Sequence, residues 1–168
     1  MARRRAIAQQ LAVKLSIVAV GNRMPAWVSE GFTDYIRRMP REARVELIEV
    51  KPEKRAAGRM TAQILAAERN RIEAGLPRDA QRVALDERGN LISSHGLAEW
   101  LRRWKAEGQD AAFVIGSADG LDESLKKSSH YLLSLSKMTL PHGLVRVLLA
   151  EQLYRAVSLI QNHPYHRE

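Results

Sequence analysis

Ala111-Ala-Phe-Val-Ile-Gly-Ser-Ala-Asp-Gly120 is a run of five apolar residues that opens into a turn of small ones. It reads as a β-strand, Ala111–Ile115, bounded by Gly116. A short helical segment from Leu121 to Ser129 follows it. Working outward, the same strand-then-helix unit recurs. Leu15–Val20 reads as a strand ending at Gly21, and Pro25–Met39 as a helix with Pro in its first turn and Trp27, Phe32, Tyr35 and Ile36 apolar. Val45–Val50 is a second strand, Lys51–Met60 a basic loop, and Thr61–Ala74 a helix with Thr61 as its cap and Gly75 past its end. Arg82–Leu85 is a short strand closed by Asp86-Glu-Arg-Gly-Asn90. Ser94–Glu107 is a helix with Leu97, Trp100, Leu101 and Trp104 at three- and four-residue spacing. Tyr131–Leu135 and Leu144–Gln161 complete the alternation. Such a pattern predicts a single α/β domain with a mostly parallel sheet.

The chain has 168 residues, 45% of them apolar and 27% charged, which is globular composition with enough length for a sizeable core. There is no cysteine, which excludes disulfides, thiolate metal sites and a cysteine nucleophile, and fits a cytoplasmic protein. The balance of 27 Lys and Arg against 19 Asp and Glu gives a net charge of +8, so an anionic partner is expected, with nucleic acid ahead of membrane. Arg3-Arg-Arg5 before Leu11–Val20 superficially imitates a signal peptide, but Lys14 interrupts the apolar stretch. Met1–Val13 is read as an arm ahead of the first strand. No run is long and apolar enough for a membrane helix.

Three segments carry chemistry. Ile115-Gly-Ser-Ala-Asp-Gly120 lies where a strand meets a helix, and its small residues let a ligand approach the backbone. It is not GxGxxG, which argues against a dinucleotide site. Leu135-Ser-Lys-Met-Thr-Leu-Pro-His142 is a second strand-end loop, with hydroxyls, Lys137 and apolar Met138 and Leu140 suited to wrapping an adenine. Pro141 is read as the first residue of the next helix. That helix is apolar on more than one face, as expected if it packs on the sheet and on a second subunit. Glu151 and Arg155 are spaced for an ion pair, and Arg155 also suits the edge of a site. The chain then closes on Asn162-His-Pro-Tyr-His-Arg-Glu168. Its two His have metal-like separation but no third clear ligand, so base recognition is the better use: Tyr165 to stack, His166 to exchange a proton, Arg167 to hold an anion.

Phe113–Gly120, Leu133–His142, the run from Leu144 to Ala156 and the closing Asn-His-Pro-Tyr-His-Arg together resemble the ribosomal large-subunit methyltransferase H family of SPOUT methyltransferases. Lys14–Gly21 and Ala84–Gly89 fit the same pattern, so the resemblance spans residues 14–168 and leaves 1–13 outside it. It implies an α/β fold with a trefoil knot in the C-terminal half, a homodimer, and S-adenosylmethionine as methyl donor. It further implies methylation at N3 of a pseudouridine in large-subunit (23S) ribosomal RNA, with the assembled ribosome as the expected substrate. Carried over by position, the donor site uses Leu85, Asp86, Gly116, Ser117, Ser136, Lys137, Met138, Thr139, Leu140 and Pro141. The family has a second Gly where this chain has Ser117, and commonly Pro-Glu where it has Ala118-Asp119.

Methyl transfer from an activated donor needs alignment and removal of the acceptor proton. The residues assigned are His166 as base, Arg155 and Arg167 to stabilise the uracil anion or a phosphate, and Tyr165 to position the base, with the tail completing the partner subunit's site. The alternative is a non-catalytic RNA-binding or ribosome-associated domain explained by charge alone. A phosphate-ester hydrolase lacks support, since no P-loop, GxSxG or carboxylate-rich metal cluster is present; Asp86, Asp119 and Asp122 suit turn and capping roles.

Overall fold

The computed structural model describes residues 12–167. Its strands are β1 (Leu15–Val20), β2 (Val45–Val50), β3 (Gln81–Leu91), β4 (Ala111–Ile115) and β5 (Tyr131–Ser134). They form one sheet in the order β2-β1-β4-β3-β5, every pairing parallel. The helices among the described residues are α1 (Ala26–Arg37), α2 (Thr61–Gly75), α3 (Ser94–Glu107), α4 (Glu123–Ser128) and α5 (His142–Ile160).

The central strands explain the layering. Every residue of β1 and β4 is buried, so both faces of the sheet must be covered. On one face Leu15, Ile17, Phe113 and Ile115 pack with Phe32 of α1, Leu101 and Trp104 of α3, and Leu149 and Leu153 of α5. On the other, Val18, Val20, Ala84 and Val114 pack with Ile72 of α2 and Leu125 of α4. Connections that step one way along the sheet therefore run through α1 and α3 on the first face. Those that step back run through α2 and α4 on the second. A single handedness of crossover requires that division.

The elements sit close to where the periodicity puts them, with instructive shifts. β3 runs on to Leu91, yet the expected turn is there: Leu85 and Asn90 both face Leu133, and the residues between leave the ladder. Asp86 organises that excursion by accepting from the Arg88 amide at 2.8 Å. Thr61 is the first residue of α2 and not its cap, because Met60 takes the cap position and its amide donates to Gln63 at 3.2 Å; Gly75 is the last helical residue. Pro141 is likewise the cap residue of α5, and the helix starts at His142. Val13, assigned to the arm by its sequence position, is buried in the core, and its amide donates to the Glu42 carbonyl at 2.8 Å. Arg3–Arg5 lie outside the described residues.

In the single chain α5 buries only one of its apolar faces, through Leu149, Ala150, Leu153, Ala156 and Val157. Leu144, Val147, Leu148, Leu159 and Ile160 stay half-buried. Among the described residues no helix is long and apolar enough to cross a membrane.

Candidate active site

The carboxyl ends of β1, β3, β4 and β5 point the same way, so the loops that leave them meet at one end of the sheet. This is where a parallel sheet places ligands. A cleft of about 800 Å³ lies there, lined by the Gly116–Leu121 turn after β4, by Asp86–Arg88 of β3, and by Thr139–His142 ahead of α5. An adjoining cavity of about 90 Å³ is lined by Leu85, Asp86, Ser136, Met138, Thr139 and Leu140. The candidate donor-site residues thus gather in two neighbouring spaces. Lys137 lines neither cavity and is exposed.

The turn after β4 is tightly built. A Cβ on Gly116 would lie 2.4 Å from the Gly120 carbonyl oxygen, so no side chain fits there. Ser117, which stands where the family pattern has glycine, has a defined role: its hydroxyl donates to the buried carboxylate of Glu68 at 2.7 Å and accepts from Arg55 at 2.9 Å. Arg55 also holds Asp119 at 2.9 Å, so both departures from the pattern enter one network. Glu68 in turn accepts from the Glu53 amide at 3.0 Å, which ties the basic 51–60 loop to the turn. Asp122 and Asp86 also have partners within the fold. Asp122 caps α4 through the Ser124 and Leu125 amides, and Asp86 pairs with Lys126 at 3.0 Å.

Beneath the turn lies a buried polar relay that the sequence did not announce. Arg146, 2% exposed, donates to His142 Nε2 at 2.9 Å, to Glu49 at 3.0 Å and to the Gly21 carbonyl at 3.1 Å. His142 Nδ1 is 2.7 Å from the Gly116 carbonyl. The imidazole is neutral with its proton on Nδ1, because Nε2 accepts from Arg146. Burial pushes its pKa below the ordinary 6.5, and the Arg146 charge adds to this against the opposing pull of Gly116 and Glu49. Above 6.5 folded and unfolded chains both carry a neutral ring. Below it the unfolded chain takes up a proton that the folded chain refuses, so stability falls as pH drops through that window. Thermal unfolding followed from about pH 7.5 to about pH 5 is expected to fall less steeply in His142→Asn than in wild type; equal slopes would contradict the assignment.

Comparison with known proteins settles the family. The family described as "Predicted SPOUT methyltransferase" matches residues 13–166. The chain belongs to the SPOUT methyltransferase family. Ribosomal RNA large subunit methyltransferase H of Burkholderia cenocepacia (strain HI2424) is 58% identical over 155 residues, covering 92% of this chain and 99% of the relative. The protein of the same name from Burkholderia thailandensis is 59% identical over the same length. A probable methyltransferase from Bordetella pertussis Tohama I shares the fold at a TM-score of 0.57 and 16% identity, over 91% of this chain and 99% of that one. A probable methylase family protein from Haemophilus influenzae does so at 0.54, over 91% and 69%.

The closing residues of this SPOUT chain are held, but not over the cleft of the same chain. Residues Pro164–Arg167 form a short turn packed on the C-terminal half of α5. Tyr165 donates to Glu151 at 3.0 Å, meets Tyr154 ring to ring at a 56° tilt with centroids 4.6 Å apart, and has its ring 5.0 Å from the Arg155 guanidinium. Burial, with Tyr35 and Glu151 beside it, keeps its phenol protonated far above the usual range. Arg155 and Glu151 form the expected ion pair at 2.7 Å, which further secures the guanidinium charge. His166 Nδ1 is buried with no hydrogen-bond partner among the described residues, and Arg167 is exposed. From His142 to Arg155 is about 20 Å along the axis of α5 at roughly 1.5 Å per residue. Within the chain the four tail candidates are therefore apart from the donor-site candidates.

Proposed function

We propose that this SPOUT methyltransferase transfers a methyl group from S-adenosylmethionine to N3 of a pseudouridine in large-subunit ribosomal RNA, as a cytoplasmic homodimer acting on the ribosome. The observation that carries the reading is near-complete alignment, at 58–59% identity, with relatives named for large-subunit RNA methylation. The cleft fits the donor. Its volume is in the range of cofactor sites, the cramped Gly116 turn exposes backbone, and apolar Met138 and Leu140 flank the polar loop. When bound, S-adenosylmethionine supplies a methyl group already activated on a sulfonium.

The chain's residues do the rest. Leu85, Asp86, Gly116, Ser117, Ser136 and Met138 to Pro141 hold the donor and orient it. The acceptor N3–H is a weak acid, and His166 takes its proton while Arg155 and Arg167 hold the resulting anion or a nearby phosphate. Tyr165 positions the base. The separation along α5 favours a tail that acts on the partner's cleft. Antiparallel pairing of α5 with its copy across a two-fold axis brings the C-terminal end of one helix to the N-terminal end of the other. The half-buried face of α5 is apolar enough for that pairing. At the N-terminal end a second cavity of about 510 Å³, with exposed Trp27 and Pro25 on its wall, adjoins the Ser117 turn. The trefoil knot belongs to the same reading. It is supported by the β3 excursion, whose Gly89 presses on the backbone of Leu132 and Leu133, and by the Thr139 hydroxyl, which donates to Glu87 at 3.0 Å.

Purified protein given labelled S-adenosylmethionine and ribosomal particles is expected to label large-subunit RNA. Tight RNA binding without donor binding or label would favour the non-catalytic RNA-binding alternative.

A further inference from the structure

We propose that His142 is a positioning residue for the donor site: its Nδ1–H holds the Gly116 carbonyl and thereby sets the turn on which S-adenosylmethionine lies, with Arg146 fixing the tautomer that makes this donation available. The inference rests on the functional reading above, and it concerns a residue outside the ten assigned to the donor.

Three observations converge on it. The first is geometric. His142 is the first residue of α5, Gly116 is the first residue after β4, and the 2.7 Å bond between them joins helix to turn at the wall of the cleft. The second is the tautomer. Arg146 cannot accept a hydrogen bond, so His142 Nε2 must be the acceptor and Nδ1 must carry the proton. The positive end of α5 also disfavours a charged ring at that position. The third is the cost of the arrangement. A buried arginine is retained only with good partners, and this one has Glu49 of β2, the Gly21 carbonyl after β1 and His142. Gly21 has φ +140°, and a Cβ there would lie 3.3 Å from Arg146 Nη2. Three strand ends are thus built around a contact whose far end is a single carbonyl in the cleft.

Asparagine and glutamine separate this role from general packing. In His142→Asn the side-chain amide nitrogen falls near the place of Nδ1, so that variant keeps a donor for Gly116. His142→Gln places its amide near Nε2 and serves Arg146 instead. Titration calorimetry of S-adenosylmethionine into the purified protein is expected to give a Kd within about twofold of wild type for His142→Asn, and about tenfold or more weaker for His142→Gln and His142→Ala. With donor saturating, kcat for all three should stay within about threefold, so the loss appears in KM. Equal affinities for the Asn and Gln variants, or a loss confined to kcat, would overturn the proposal. If His142→Ala fails to fold, the Asn and Gln pair, compared at equal thermal midpoint, still decides it. Wild-type protein that binds no donor would overturn the functional reading as well, a result distinct from the Asn–Gln comparison.

Discussion

Replacing Arg155 by alanine is expected to lower methyl transfer about 10²- to 10³-fold, the range seen when a charge that stabilises a developing anion is removed. The Kd for the donor should change by less than about threefold, because Arg155 is assigned to the acceptor anion and not to the residues that hold the donor. Stability should change little. The ion pair with Glu151 is partly buried, with the Arg155 and Glu151 side chains 23% and 13% exposed, and its loss is expected to cost about 1 kcal/mol, small beside the loss of activity. A large loss of activity at nearly constant Tm is therefore the signature of a chemical role. His166→Ala should lose activity as well and alter the pH dependence of what remains. Mixed dimers assign the subunit. A protomer lacking residues 163–168, paired with one whose donor cleft is blocked, regains one working site only if tails act across the dimer. Full turnover in Arg155→Ala, or no recovery in the mixed dimer, would remove the tail from the chemistry or return it to its own protomer.

Gly116→Ala is expected to weaken donor binding more than about 100-fold, because the added carbon meets backbone that cannot rotate away. The two nearest atoms are the Gly120 carbonyl oxygen at 2.4 Å and its carbon at 2.6 Å. Relief means shifting the whole 116–120 turn, at a stability cost of about 1–3 kcal/mol and a drop in Tm of roughly 2–12 °C. Gly120→Ala is the informative comparison. At φ +87° it is strained, but nothing lies within 4 Å of its Cβ. It should cost about 1 kcal/mol of stability and leave most donor affinity intact. If calorimetry showed the two variants alike, the shape of the turn at Gly116 would not be what the donor reads.

What is legible in the sequence and what is not divide along physical lines. β1 and β4 are visible because a strand covered on both faces needs an unbroken apolar run, and few other structures do. The loops that line the cleft are visible because small residues and Pro mark strand-to-helix junctions. The excursion within β3 is only half visible. Asp86-Glu-Arg-Gly reads as the end of a strand, and that the chain rejoins β5 at Asn90 depends on a non-local pairing. The relay under the turn is invisible for the same reason, since Arg146 and Glu49 are 97 residues apart. The one local hint is His142 and Arg146 one helical turn apart, which reads as ordinary helix surface until the burial is known. The tail reads as held at a site, and how it is held within its own chain, on α5, is not legible. Tyr154, Glu151 and Tyr35 form a seat that only the fold assembles.

The most direct test is to incubate the purified protein with labelled S-adenosylmethionine and with free large subunits or assembled ribosomes in parallel, then digest the RNA and identify the labelled nucleoside by chromatography against N1- and N3-methylpseudouridine and methyluridine standards, with fragmentation mass spectrometry. The account expects the label in a pseudouridine carrying one added methyl group at N3, in large-subunit RNA. Label in an unmodified uridine or in another base, or no label on either particle from protein that binds the donor, would contradict it.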